Sequence, residues 1–235
     1  MICDTVAMRA ILDVAMTQDR DVVITPTDDG WSLVSASADH VTLVSIDIPQ
    51  TVLDMGEEAF AIEADPFSKA LSHSAEAEVS VKDGRMTVRC GDMSTRLALI
   101  PVPQSSPRVP SFPPMDATAM VGADRLMRLV RATPKGGDAY RFTLSGETLE
   151  VSAMDGEGLG SALTIPVDEM DMHSLSTSTA VSSLYPQSSW QAFLKALPKD
   201  TTLELSWSAD YPMSVGFAWQ GVSGMWLVAP RIEVD

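Results

Sequence analysis

Apolar and polar residues alternate with a period of two along most of the chain, and only four stretches turn to a period near 3.6. In DVVITPTDDGWSLVSAS two alternating runs flank Asp28-Asp29-Gly30, and in EVSVKDGRMTVRC two more flank Asp83-Gly84. Alternating runs around an Asp-Gly turn predict β-hairpins. YRFTLSGETLEVSAM repeats the arrangement around Ser145-Gly146, and HVTLVSIDIP, STRLALIP, ALTIPV, YPMSVGFAW and GMWLVAP predict further short strands.

The four other stretches predict helices over residues 7–17, 65–73, 122–132 and 188–197. Met8, Ile11, Leu12, Ala15 and Met16 follow the i, i+3, i+4, i+7, i+8 rule of a one-sided helix. Leu126, Met127 and Val130 do the same in the third stretch, and Trp190, Phe193, Leu194 and Leu197 in the fourth. In the second, Phe67, Ala70 and Leu71 form the stripe, with Asp65 expected as N-cap and Pro66 at the first helical position.

The order strand, helix, strands, helix, strands occurs twice. With FSKALSHSAEAEVSVKDG set against FLKALPKDTTLELSWSAD, an offset of 126 residues pairs Phe67 with Phe193, Lys69 with Lys195, Leu71 with Leu197, Glu78 with Glu204 and Val79 with Leu205. That period exceeds the roughly 20–50 residues of a solenoid repeat, so two copies of one domain are expected. Between them PVPQSSPRVPSFPPMD, with six prolines and no secondary-structure period, reads as a semi-rigid linker. The expected division is 1–101, linker 102–116, and 117–235. Each copy has apolar content for a core, since 45% of the 235 residues are hydrophobic.

Charge changes the picture. The chain carries 32 acidic against 16 basic residues, a net −16, and only five of the basic ones are lysine. Such a balance argues at first sight against a nucleic-acid partner, and it fits a halophilic, solubility-driven surface. The four helical stretches reverse the sign. They hold Arg9, Lys69, Arg125, Arg128, Arg131 and Lys195 against Asp13, Asp65 and Asp124, leaving ten basic and twenty-nine acidic residues elsewhere. Arg125, Arg128 and Arg131, at i, i+3 and i+6, share one face of their helix. Either these are the wet faces of ordinary amphipathic helices, or they form a surface that meets phosphates without reading sequence.

Little points to catalysis. His40, His73 and His173 are scattered, no His-Glu-x-x-His occurs, and Cys3 and Cys90 have no metal-ligand spacing. MDGEGLG (154–160) lies between strand-like runs and lacks the Lys-Ser/Thr of a phosphate loop, so an inter-strand turn is expected. No metal, cofactor or catalytic residue is expected. No apolar run approaches the ~20 residues of a membrane span and no signal-peptide pattern opens the sequence; a cytoplasmic, nucleoid-associated protein with reduced thiols is the expectation.

LVSASADHVTLVSIDIP, the two repeated stretches, SADYP and the ending LVAPRIE resemble the sliding clamps of archaeal and eukaryotic replication, the PCNA family. The likeness runs from the first helix to the C-terminus. It implies an α+β fold of two tandem DNA-clamp (processivity fold) domains, antiparallel sheets outside and two helices per domain inside, and no enzymatic activity. It implies a head-to-tail homotrimeric ring around double-stranded DNA, with Arg96–Ile100 and Ala162–Val167 as the edges that meet. Carried over by position, Arg9, Lys69, Arg128, Arg131, Lys135 and Lys195 would face DNA. A groove of His40, Val41, Leu43, Val109, Phe112, Pro212, Leu227, Ala229 and Pro230 would take short peptides from a DNA polymerase, clamp loader, nuclease or ligase. Two other readings stand beside this: a subunit of a hetero-ring, and an adaptor that binds peptides without encircling DNA.

Overall fold

The computed structural model describes residues 2–56, 58–72, 74–104, 107–133, 137–154, 160–170, 172–177 and 179–231, without the side chains of 154 and 168. The chain divides into two compact units, Met1–Val109 with Gln220–Gly224 and Pro110–Trp219 with Met225–Asp235.

Unit 1 contains β1 (Ile2–Asp4), α1 (Thr5–Ala15), β2 (Asp21–Thr27), β3 (Gly30–Ala36), β4 (Thr42–Pro49), β5 (Phe60–Glu63), α2 (Ala64–Ala70), β6 (Glu76–Lys82), β7 (Arg85–Cys90) and β8 (Met93–Ala98). One sheet runs β1-β6-β7-β8 and a second run of strands is β4-β3-β2-β5, each strand lying antiparallel to its neighbours in these runs. The predicted hairpins stand. Asp83 and Gly84 both take positive φ, 52° and 69°, as the tight turn between β6 and β7 requires.

Unit 2 contains β9 (Ala117–Gly122), α3 (Ala123–Ala132), β10 (Ala139–Leu144), β11 (Thr148–Met154), β12 (Gly160–Pro166), β13 (His173–Leu175), β14 (Val181–Pro186), α4 (Gln187–Ala196), β15 (Thr202–Trp207), β16 (Met213–Trp219) and β17 (Val222–Val228). Its strands order as β12-β11-β10-β14 and β13-β9-β15-β16-β17. Unit 2 therefore repeats the connectivity of unit 1: β9 takes the place of β1, β14-β10-β11-β12 the place of β5-β2-β3-β4, and β15-β16-β17 the place of β6-β7-β8. The short β13 has no counterpart; it adds to β9 through Ser174↔Thr118.

The cores follow the predicted stripes. In unit 1 Met8, Ile11, Leu12, Phe67 and Leu71 are wholly buried, and α1 packs on α2. In unit 2 the core is aromatic: Phe193 stacks on Trp226 with ring centroids 4.3 Å apart, and Phe142 on Trp190 at 4.8 Å. The repeat pair Phe67 and Phe193 buries alike, whereas Val81, exposed, and Trp207, buried, diverge although the same 126-residue offset relates them. On α3 the buried set is Leu126, Leu129 and Val130, with Met127 only half-buried, so the stripe sits one position round from the prediction. Asp65 is not an N-cap. Helix α2 opens at Ala64, two residues before the expected first position, with Glu63 as N-cap, which leaves Asp65 and Pro66 inside the first turn. The cap that the side chains do supply is at α1, where the Asp4 carboxylate accepts from the Val6 and Ala7 amides at 3.0 and 3.1 Å.

Cys3 and Cys90 are buried and free. Burial, with Asp4 and Cys90 adding to it, pushes the Cys3 thiol up to about 12.

Candidate nucleic-acid interface

Each helix pair presents its cations on the face turned away from its core. Arg9 and Lys69 are exposed on α1 and α2 of unit 1, and Arg128, Arg131 and Lys195 on α3 and α4 of unit 2. Arg125 is half-buried. Lys135, His73 and residues 155–159 of the glycine-bearing turn lie outside the described residues.

Several of these cations already have a carboxylate beside them. Lys69 Nζ sits 2.7 Å from Asp65 Oδ2, and Arg128 lies 3.8 Å from Asp124, both as i,i+4 pairs. Arg125 reaches Glu169, in the single turn Val167–Glu169 after β12, at 3.1 Å. Asp13 is held above the ordinary carboxylate range by burial, while Arg9, one turn earlier, pulls it back. Among the described residues Arg131 and Lys195 have no ion pair. Basic residues thus outnumber acidic ones only slightly on the helices, and the two cations without an ion pair among the described residues stand near the C-terminal ends of α3 and α4. Exposed pairs of this kind are screened by salt and worth little.

The expected groove residues fall on both units. In unit 1 His40 takes φ of 56° in the turn before β4. That turn is fixed by Ser37, whose hydroxyl donates to Asp39 at 2.6 Å and accepts the Thr42 amide at 3.0 Å. The Ser37 bond, with the Val41 amide, holds the Asp39 carboxyl below its usual range. Val41 and Leu43 are half-buried and Val109 is exposed. In unit 2 Phe112 of the proline-rich segment meets Tyr211 edge-to-face, centroids 6.0 Å apart at 83°. Pro212 follows, half-buried, and Ala229 and Pro230 are half-buried at the end of β17. Leu227 is buried, 6% exposed, and offers a ligand almost no surface. Sequence reasoning missed Tyr211. Its signal was the aromatic inside SADYP, directly before the expected Pro212.

The ends of the sheets matter as much. Among the described residues, other segments meet three terminal strands: Leu53 bridges to β1 at Cys3, Ile100 bridges to β5 at Ala61, and the Arg231 amide donates to Leu184 of β14 at 2.8 Å. Among those residues no backbone partner meets the outer side of β8, β12 or the three-residue β13; β8 and β12 are largely exposed, and the Ser161 hydroxyl of β12 donates to the Ala132 carbonyl of α3 at 2.9 Å. The two expected edges overlap these strands, though β8 ends at Ala98, before the segment turns to β5.

No group of three or more His, Cys, Asp or Glu side chains among the described residues could hold a metal ion, and no described helix is long and apolar enough to cross a membrane. No family model matches the chain. A DNA polymerase sliding clamp of Thermoplasma volcanium is 25% identical to it over 239 residues, covering 96% of each. The structure of A. fulgidus PCNA with the C-terminal region of FEN-1 bound superposes over 100% of this chain and 98% of its own, at a TM-score of 0.88 and 19% identity. PCNA from Thermococcus kodakaraensis gives 0.86 at 20% identity, over 98% and 99%. The shared α+β fold of two tandem units is that of the DNA sliding clamps. Sequence likeness to a curated sliding clamp runs along nearly the whole chain, and together with the shared fold it supports a PCNA-family clamp.

Proposed function

We propose that the chain serves as a polymerase processivity factor by closing, three copies head to tail, into a ring around duplex DNA. The observation that carries this reading is the duplicated topology. Two units of one connectivity each expose a cation-bearing helix pair, and β8 of the one and β12 of the other end their sheets with no backbone partner beyond them among the described residues. Unpaired edges invite strand addition, and a heterologous contact closes a ring when its rotation returns on itself. A topological link also suits the weak, sequence-blind charge of the helices, because retention on DNA then needs no tight contact.

The proposed DNA-facing set is Arg9, Lys69, Arg125, Arg128, Arg131, Lys135 and Lys195. The proposed peptide surface is His40, Val41, Leu43, Val109, Phe112, Pro212, Ala229 and Pro230, with Leu227 beneath it and Tyr211 added. It would tether a polymerase, clamp loader, nuclease or ligase, as the A. fulgidus protein holds the C-terminal region of FEN-1. The domain boundaries we propose are 1–101 and 117–235 around the 102–116 linker, in a cytoplasmic, non-catalytic scaffold.

Light scattering tests the ring, and primer extension on circular DNA tests its function. A mass of three chains of 25.2 kDa and processive extension are expected. Processivity unaltered by Arg131→Glu with Lys195→Glu would refute the DNA-face assignment.

A further inference from the structure

Of the ten basic residues outside the helical stretches, four lie on three adjacent strands of one sheet. Lys82, Arg85, Arg89 and Arg96 are all exposed, on the face opposite the buried Val79, Met86 and Val88. Register brings them together: Lys82 pairs with Arg85, and Arg96 pairs with Thr87, which places Arg85 and Arg89 on its two diagonals. Like charges so placed destabilise a sheet unless a counter-charge arrives. Within the chain Glu78 supplies one, 3.9 Å from Arg89. Arg96 stands on β8 itself, the open edge.

The other open edge carries the opposite sign. Glu150, exposed on β11, pairs with Thr164 of β12. Glu147, exposed in the preceding turn, is fixed to the end of β12 by its carbonyl, which accepts the Val167 amide at 3.0 Å. We infer that the contact between successive copies is charge-matched, with the Arg85, Arg89 and Arg96 cluster beside β8 of one copy facing Glu147 and Glu150 beside β12 of the next, so that assembly weakens as salt rises. This rests on the ring reading and adds to it what selects and regulates the edge. The occupant follows from charge: in a chain of net −16, a cationic patch bordering an unpaired edge finds its complement on another copy. Were β12 of the next copy to lie beside β8, Glu150 would stand two strands from Arg96, about 9.6 Å between backbones. An arginine and a glutamate side chain span that gap between them. Salt near 1 M shortens the screening length to about 3 Å and removes most of the attraction.

The test is the mass of the full chain by light scattering across a dilution series, in about 0.1 M and about 1 M potassium chloride. Wild type is expected to hold together to lower concentration in the dilute salt. Arg96→Glu and Glu150→Arg should each raise the dissociation constant of assembly roughly tenfold or more, and the double variant should recover most of that loss. Arg96→Gln, with far-UV circular dichroism on every variant, separates lost contact from lost fold. Wild type assembling independently of salt, with both single variants assembling as well, overturns the charge-matched contact and leaves the ring. A double variant no better than the singles overturns it too. Wild type with the mass of one chain in both salts overturns the ring reading and this inference with it.

Discussion

Removing the Asp124 carboxylate should strengthen DNA binding, because that group neutralises a cation needed at the phosphates. Asp124 Oδ2 lies 3.8 Å from Arg128, with both side chains about two-thirds exposed at 64% and 65%. An exposed i,i+4 pair contributes about 0.3–0.5 kcal/mol, and a carboxylate in the first helical turn adds about 0.3–1 kcal/mol through the helix dipole. Asp124→Asn therefore costs on the order of 1 kcal/mol of stability, which a domain tolerates, while changing the charge of each copy by about +1. If the freed Arg128 then meets a phosphate, the slope of log K against log salt steepens by up to about 0.9 for each phosphate newly neutralised. Arg131→Gln, which removes a cation without an ion pair among the described residues, should flatten the slope by a similar amount. Fluorescence anisotropy of a labelled duplex across a potassium chloride series reads both. Equal slopes and affinities for wild type, Asp124→Asn and Arg131→Gln would refute the assignment of α3 to DNA.

Other expectations follow from single contacts. Asp4→Ala, which deletes the cap on the Val6 and Ala7 amides, should lower stability by about 1 kcal/mol, read as a shifted urea midpoint. The Cys3 thiol, raised from 9.0 to about 12, stays protonated in the folded chain when the unfolded thiol has ionised. Its contribution is complete below pH 9 and is lost as pH rises towards 12, at up to about 1.4 kcal/mol per pH unit. Denaturant melts at pH 9 and 10 should show that slope in wild type and a flatter one in Cys3→Ala, a comparison in which the contribution of Tyr185, also shifted upward by burial, cancels. Tyr211→Ala should weaken a client peptide by roughly tenfold with the melting temperature unchanged, by calorimetry. Leu227→Ala should instead cost about 2–5 kcal/mol of stability, because that side chain is core.

Local chemistry made much of this protein legible in its sequence. Asp83-Gly84 needs a tight turn wherever it stands, and Phe67 and Phe193 head the same stripe because a helix of either copy must bury one side. The repeat at offset 126 could be read because both copies solve the same packing problem. The helix cations were legible as residue types. Their state was not, since Arg125 is paired through Glu169, 44 positions along the chain, and a long-range contact leaves no period in the sequence.

Tertiary structure alone decided the positions that the sequence pattern leaves ambiguous. Leu227 and Tyr211 are both largely apolar side chains at or beside strands, yet one is sealed in the core and the other stands 37% exposed against Phe112. The openness of β8 and β12 is likewise invisible in their alternation, because a strand's own residues do not record whether a neighbour lies beside it. The sequence by itself determined the two-copy plan, the hairpins and the sign of the helix faces, all of which depend on near neighbours. Which cations remain free, which apolar groups reach the surface and which edges stay open depend on residues brought together from far apart, and only the folded chain determines them.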